Sequence, residues 1–234
     1  MCRRFGAGGR GERHMDLKAA MEARHSVRAY LDKPIEAELC ERLRETTEAC
    51  NREGGLHFQL VTGEPKAFGG LMAHYGKFSG VKNYVALIGK KSGDLQEKVG
   101  YYGERVALTA QALGLNTCWV ALTYKKVKTA YTVGKGEKLC CVLALGYGET
   151  QGVPHKSKSA EEVSAAEDPP AWFAEGVRAA LLAPTAMNQQ KFRFALRGDT
   201  VEAATGKGFY AKIDLGIAKL HFELGAGKEN FRWA

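Results

Sequence analysis

The stretch "DLQEKVGYYGERVALTAQALGLNTCWVAL", residues 94–122, carries two periodicities in succession. Leu95, Val99, Tyr102, Val106, Ala110 and Leu113 recur at helical spacing, so the spacing predicts a helix over 94–113. Asp94 and Glu97 form a D-x-x-E start that resembles a capping box, and Gly114 supplies the stop. The segment "TCWVAL" then reads as an apolar strand. Gly100 and Gly103 lie inside the helix, where each costs about 1 kcal/mol against alanine. Close packing against another backbone is expected to offset that cost, which marks a central or interface helix.

Helices and strands extend outward from this unit without regular βαβ alternation. Upstream, "DLKAAMEARHSVRAYL" reads as a short helix running into an extended turn. A longer helix follows in "DKPIEAELCERLRETTEACN", with Pro34 near its start. "LHFQLV" and "NYVALIG" read as strands, with an ambiguous Gly-rich segment between them. Downstream, "LCCVLALGYG" lacks alternation, which predicts a strand buried on both faces. A polar loop, "ETQGVPHKSKSAEEVSAAE", leads to a helix in "DPPAWFAEGVRAALL", with Asp168 as the expected N-cap and Pro169 at the first helical position. "KFRFAL" and "TVEAAT" read as two strands joined by Gly198-Asp199. "AKIDLGIAKLHFELG" is the last helix, with Ile213, Ile217, Leu220 and Leu224 in register. This mixture predicts an α+β fold with a mainly antiparallel sheet.

The 234 residues carry a formal charge of +8, of which the Arg-rich stretch "MCRRFGAGGRGERH" supplies +3 through Arg3, Arg4, Arg10 and Arg13 against Glu12. That stretch has no apolar core region, so residues 1–14 are expected to be a disordered tail rather than a secretory signal, with residues 15–234 forming a single domain. No apolar run reaches the roughly 18 residues needed to cross a bilayer. On that ground no membrane partner is expected, and because no basic stripe with interleaved aromatics appears, no nucleic-acid partner is expected either. Cysteines at 2, 40, 50, 118, 140 and 141 form no C-x-x-C and no zinc spacing, which predicts no metal and reduced thiols in a cytoplasmic protein.

Four stretches draw chemical interest. In "RHSVR", Arg24 and Arg28 share a face in a helix or a strand, with Ser26 between them in the latter. Two guanidinium groups and a hydroxyl suit a phosphate dianion, although a solvated basic patch has the same spacing. In "HKSK", Lys156 and Lys158 flank Ser157 in a loop after a buried strand. In "NTCWVAL", the Cys-Trp pair after a helix stop reads either as core packing, the default, or as a strand edge presenting backbone groups to a planar ligand. In "LLAPTAMNQQKFRF", residues 181–194, a helical pattern breaks into Thr185, Asn188, Gln189 and Gln190. Amides beside a core need partners. Those partners are either a ligand or local backbone groups at a helix end. No dinucleotide fingerprint, Walker loop, nucleophile elbow or H-E-x-x-H occurs.

Together these stretches resemble the nitroreductase family of flavoproteins over roughly residues 16–225. "RHSVR" is similar to that family's R-[HR]-S-x-[RK] motif at Arg24, His25, Ser26 and Arg28. "APTAMNQQKF" resembles its P-S-[SA]-x-N-x-Q-P-W segment at Pro184, Thr185, Ala186, Asn188 and Gln190, with Lys-Phe in place of Pro-Trp. Lys156 and Lys158 stand where the family has a basic pair on the phosphate. "ALGLNTCWVAL" resembles its G-L-G-S-x-W stretch, at Cys118, Trp119, Val120 and Ala121.

The resemblance implies a nitroreductase-like fold that binds FMN at these positions. It also implies NAD(P)H as electron donor, a small-molecule acceptor such as a nitroaromatic or quinone, and a homodimer. Because the flavin carries the chemistry, no protein residue is expected to be catalytic. The amide segment comes near the C-terminus here instead of soon after the first motif. This permuted order resembles a subgroup typified by thermophilic bacterial sequences, and it leaves open whether Asn188 serves the flavin of its own chain or of a partner. Rival readings are a flavin protein of the same fold with another role, such as reductive dehalogenation or flavin storage, and a basic anion-binding module.

Overall fold

The computed structural model describes residues 16–234; the expectation for residues 1–14 falls outside them. Its elements are, in chain order, α1 (Leu17–Ala23), α2 (Ala37–Gly54), β1 (Gln59–Val61), α3 (Leu71–Tyr75), β2 (Asn83–Lys90), α4 (Leu95–Ala112), β3 (Asn116–Val120), β4 (Glu137–Gly146), α5 (Ala160–Val163), α6 (Ala171–Ala180), β5 (Phe192–Arg197), β6 (Thr200–Thr205), α7 (Ala211–Ala226) and β7 (Arg232–Trp233).

The main sheet has the order β1-β2-β4-β3, and all of its neighbours are antiparallel. Its central strands are buried on both faces, as the unbroken apolar runs require. Val85 and Leu87 of β2 face the helices, while Tyr84, Ala86 and Ile88 face an aromatic cluster with Phe68, Phe78, Tyr124 and Tyr131. A smaller sheet, β5-β6-β7, pairs β5 with β6 antiparallel and β6 with β7 parallel. The fold is α+β, as expected.

Two long helices form the centre. α4 and α7 approach until backbone meets backbone. A Cβ on Gly100 would overlap the Ile213 carbonyl, and one on Gly216 would overlap the Glu97 carbonyl. These glycines are therefore required by an approach that any side chain would block. Gly103 makes room for the Trp119 ring. The partner expected for this helix lies within the same chain, so the glycines give no sign of a contact between subunits.

The chain also repeats an order. α2, β1, β2, α4 and β3 are followed by α6, β5, β6, α7 and β7, with α3 and β4 as additions to the first set. In each set the central helix ends at a left-handed glycine, Gly114 or Gly227.

Three local expectations are corrected. Asp94 does not cap α4 through its side chain, because its carboxylate accepts from Ser92 and pairs with Lys98. Asp168 is not the N-cap of α6. The helix starts at Ala171 after Pro170, since a residue preceding proline, here Pro169, is disfavoured in helical conformation. A capping box forms instead at Ser159 and Glu162, which open the one-turn α5 inside the segment expected to be loop.

Candidate functional site: a cavity between the two repeated sets

"RHSVR" leaves α1 at Ala23 and runs extended along the open edge of β3. The Val27 amide donates to the Thr117 carbonyl at 3.0 Å, and Ser26 bridges to Thr117. Two motifs are thereby zipped together. From Ser26 the backbone alternates, so Ser26 and Arg28 point the same way while Val27 is buried.

They point into a cavity of about 590 Å³. Its walls are Ser26 and Arg28, the strand end Cys118–Thr123, the turn Pro184–Met187, and Ile213, Asp214 and Ile217 of α7. Tyr75, Phe78, Phe209 and Tyr210 also line it. The volume lies in the ordinary range for small-molecule sites. Arg28 is exposed, its guanidinium carbon lies 6.0 Å from the Phe78 ring centre, and among the described residues it has no carboxylate partner. Trp119 is fixed from behind, where its Nε1 donates to Glu104 at 2.7 Å.

The structure brings Ser26, Arg28, Cys118, Trp119, Val120, Ala121, Pro184, Thr185 and Ala186 together around this cavity. It does not bring Arg24, His25, Lys156, Lys158, Asn188 or Gln190 to its walls. Arg24 sits where α1 unwinds, before the alternation begins, and is 2% exposed. Its Nε lies 3.4 Å from Glu104, which also meets His221 Nε2 at 3.1 Å. His25 packs near Gly152, and its pKa is lowered by burial and then by Arg24.

Lys158 and the amides engage one another. Gln190 Nε2 donates to the Lys156 carbonyl at 2.8 Å and its Oε1 accepts the Lys158 amide at 2.9 Å. Asn188 Nδ2 donates to the same Lys156 carbonyl at 2.7 Å, and Lys158 Nζ donates to the Gln190 carbonyl at 2.9 Å. His155 and Ser157 meet the Leu181 carbonyl near the end of α6. Lys156 is exposed. The loop 155–158 and the segment 188–190 therefore form a clasp that joins the two sets of elements.

The clasp holds a strained turn. Met187, Asn188 and Gln190 have φ of 51°, 53° and 43°, unfavourable for side-chain-bearing residues. Such angles persist where surrounding contacts over-determine them, and they cluster at ligand sites. Asp214, in the first turn of α7, supplies two of those contacts. Its carboxylate accepts the Ala186 amide at 3.0 Å and Gln189 Nε2 at 2.6 Å. Burial pushes its carboxyl up to about 6, against those two hydrogen bonds, which lower it. Sequence reasoning missed Asp214. The available signal was a carboxylate between Ile213 and Ile217, on the apolar side of the helical pattern.

This is a nitroreductase fold whose cavity is lined from both of its repeated sets. Residues 16–226 match the family described as "Putative TM nitroreductase", and the chain belongs to that family. Among solved structures, a "putative nitroreductase" from Thermotoga maritima MSB8 is 22% identical, with a TM-score of 0.66 over 92% of this chain and 86% of that one. A "putative nitroreductase in complex with fmn" from Desulfovibrio desulfuricans is 18% identical, with a TM-score of 0.52 over 65% of this chain and 98% of that one. A "Putative NADH dehydrogenase/NAD(P)H nitroreductase" from Parabacteroides distasonis is 20% identical, with a TM-score of 0.50 over 64% and 98%. No curated protein sequence matches the chain. Among the described residues, no helix is long and apolar enough to cross a membrane, and no cluster of three metal-ligating side chains occurs.

Proposed function

We propose that the protein is an FMN-dependent oxidoreductase that takes electrons from NAD(P)H and passes them to a nitroaromatic, a quinone or a similar small acceptor. The observation that carries this reading is the cavity between Ser26–Arg28, Cys118–Ala121 and Pro184–Ala186, with the Arg28 guanidinium free beside it. The residues present fit the group. A cation with no carboxylate partner suits a terminal phosphate. The apolar side chains of Val120, Ile213 and Ile217 suit a planar ring system, and the Thr185 hydroxyl and the backbone beyond β3 offer polar contacts at its edge.

When bound, FMN supplies the two-electron chemistry. Arg28 and Ser26 would hold the phosphate end. Trp119, braced by Glu104, fixes a strand end that would support the ring. Asp214 keeps the 185–190 turn in its strained shape through Ala186 and Gln189. Lys158, Asn188 and Gln190 act on the flavin only indirectly, by closing the clasp behind that turn.

The cavity takes its lining from both repeated sets of one chain. The proposal therefore gives each chain a complete flavin site, and a homodimer is an assembly that flavin binding does not need. The five cysteines of the described residues are free thiols, in keeping with a reducing cytoplasm.

The test is an absorption spectrum of the purified chain before and after NADH or NADPH, with heat-released cofactor identified by chromatography. A yellow protein that either nucleotide bleaches, and that releases FMN, is the expected result. FAD, or no flavin after reconstitution, overturns the cofactor. A yellow protein that neither nucleotide bleaches favours another role for the same fold.

A further inference from the structure

The mouth of the cavity differs from the rest of the surface in both hydrophobicity and charge. Six of the nine large hydrophobic side chains exposed among the described residues belong to the segments around it: Leu71, Met72, Tyr75, Leu122, Met187 and Phe209. Tyr75, Leu122, Met187 and Phe209 line the mouth itself. Leu71 and Tyr75 lie four residues apart on α3, on one face, and are 87% and 83% exposed. Contiguous exposed apolar surface of this kind marks an interaction site.

The same segments are rich in lysine, and the nearest carboxylate in the cavity wall, Asp214, is buried below the rim. Residues 71–79, 121–128, 184–191 and 206–213 contain seven lysines and neither aspartate nor glutamate. Lys77, Lys125, Lys126, Lys128 and Lys207 are exposed, and among the described residues none has a carboxylate within 4.0 Å.

We propose that this rim docks the protein on an anionic lipid bilayer, with the apolar side chains entering the headgroup region and the lysines meeting lipid anions. Apolar anchors ringed by lysine are the combination that binds such interfaces. The inference rests on the redox reading of the cavity, because docking brings its mouth to an apolar acceptor dissolved in the bilayer. The absence of a spanning segment does not bear on it, since surface docking needs none. A second copy of the chain is a poor occupant, because two such rims would set lysines against lysines. Single-stranded nucleic acid stacks its bases on aromatic rings; of the six rim side chains only Tyr75 and Phe209 are aromatic, and Leu71, Met72, Leu122 and Met187, the larger part of the rim, offer no such platform.

The test floats the full, FMN-reconstituted chain with vesicles of phosphatidylcholine, with and without phosphatidylglycerol, and reads protein and flavin absorbance in each fraction. The protein is expected to float with the anionic vesicles alone, and less so as salt is added. Leu71→Ser with Met72→Ser, and separately Lys125→Glu with Lys126→Glu, should each lower the bound fraction about ten-fold while flavin content stays unchanged. Wild type that stays with the dense fraction in anionic vesicles overturns the proposal. So does flotation that neither double variant reduces, or release from the vesicles by single-stranded RNA at equal mass. Protein that floats colourless keeps the docking surface and removes the redox reading; coloured protein that does not float does the reverse.

Discussion

The wall formed by Ser26, Arg28 and residues 118–121, and the clasp formed by Lys156, Lys158, Asn188 and Gln190, carry similar polar chemistry but differ in how it is used. In the wall, the Arg28 guanidinium has no carboxylate partner and stands at a cavity. In the clasp, the donors and acceptors of Gln190, Asn188 and Lys158 are taken up by one another and by the backbone. The type of a polar side chain says that it must bond to something; its neighbours decide whether that partner is a ligand. The contrast runs even through one motif, where Arg24 is buried against Glu104 and Arg28 is exposed.

The largest expected effect separates those two arginines. Arg24→Ala removes one partner of a buried ion pair, which typically costs about 3 to 5 kcal/mol of stability. Arg28→Ala breaks no ion pair of the described residues and should leave the denaturation midpoint within the usual surface range, about 0.5 kcal/mol. Urea denaturation of both variants measures this. Equal losses would erase the distinction between buried and cavity-facing arginine.

A slightly smaller effect concerns the turn that wall and clasp share. Asp214 has a folded-state pKa near 6, above the ordinary aspartate value of 3.8. A carboxyl raised in this way binds its proton more tightly when folded. Its contribution is most favourable at low pH and is lost as pH rises from about 4 through about 6, then stays constant. The difference is on the order of 3 kcal/mol. Asp214→Asn should flatten that part of the stability–pH curve, as read by denaturation at several pH values. A slope unchanged by the substitution would show that Asp214 is ionised without penalty.

The clasp itself predicts a further reduced effect of a different kind. Gln190→Ala strips partners from the Lys158 amide and leaves the Lys156 carbonyl with Asn188 alone, a loss of about 1 to 3 kcal/mol in stability. FMN affinity should change by no more than about three-fold, under 1 kcal/mol. Lys156→Ala, at an exposed side chain, should change neither by a measurable amount. Affinity titrations that fall with stability intact would move these residues from clasp to wall.

Much of the architecture was legible because periodicity records burial. The change from helical spacing to a strand across Gly114, the unbroken apolar run of β4, and the hairpin at Gly198-Asp199 are all present in the structure. Nine of the expected site positions surround one cavity for the same reason: each lies at a strand edge or at a break in a pattern. What escaped the sequence depends on contacts between distant segments. Nothing near Gln190 says that loop 155–158 lies against it, and nothing in "RHSVR" says that the helix ends one residue before Arg24. Likewise, Gly100 signalled a close approach, but not that α7 of the same chain makes it.

In the function proposed, Arg28 meets the phosphate of FMN inside this cavity while the clasp does not touch the ligand. The direct measurement is a titration of apoprotein with FMN and with riboflavin, for wild type, Arg28→Ala and Gln190→Ala. Loss of charge-assisted hydrogen bonds, each worth roughly 1.5 to 3 kcal/mol, should weaken FMN about ten- to a hundred-fold in Arg28→Ala. Riboflavin, which lacks the phosphate, should bind that variant nearly as it binds wild type, and Gln190→Ala should bind both ligands as wild type does. If Arg28→Ala weakens the two ligands equally, or if Gln190→Ala is the variant that loses FMN, the assignment of wall and clasp is contradicted.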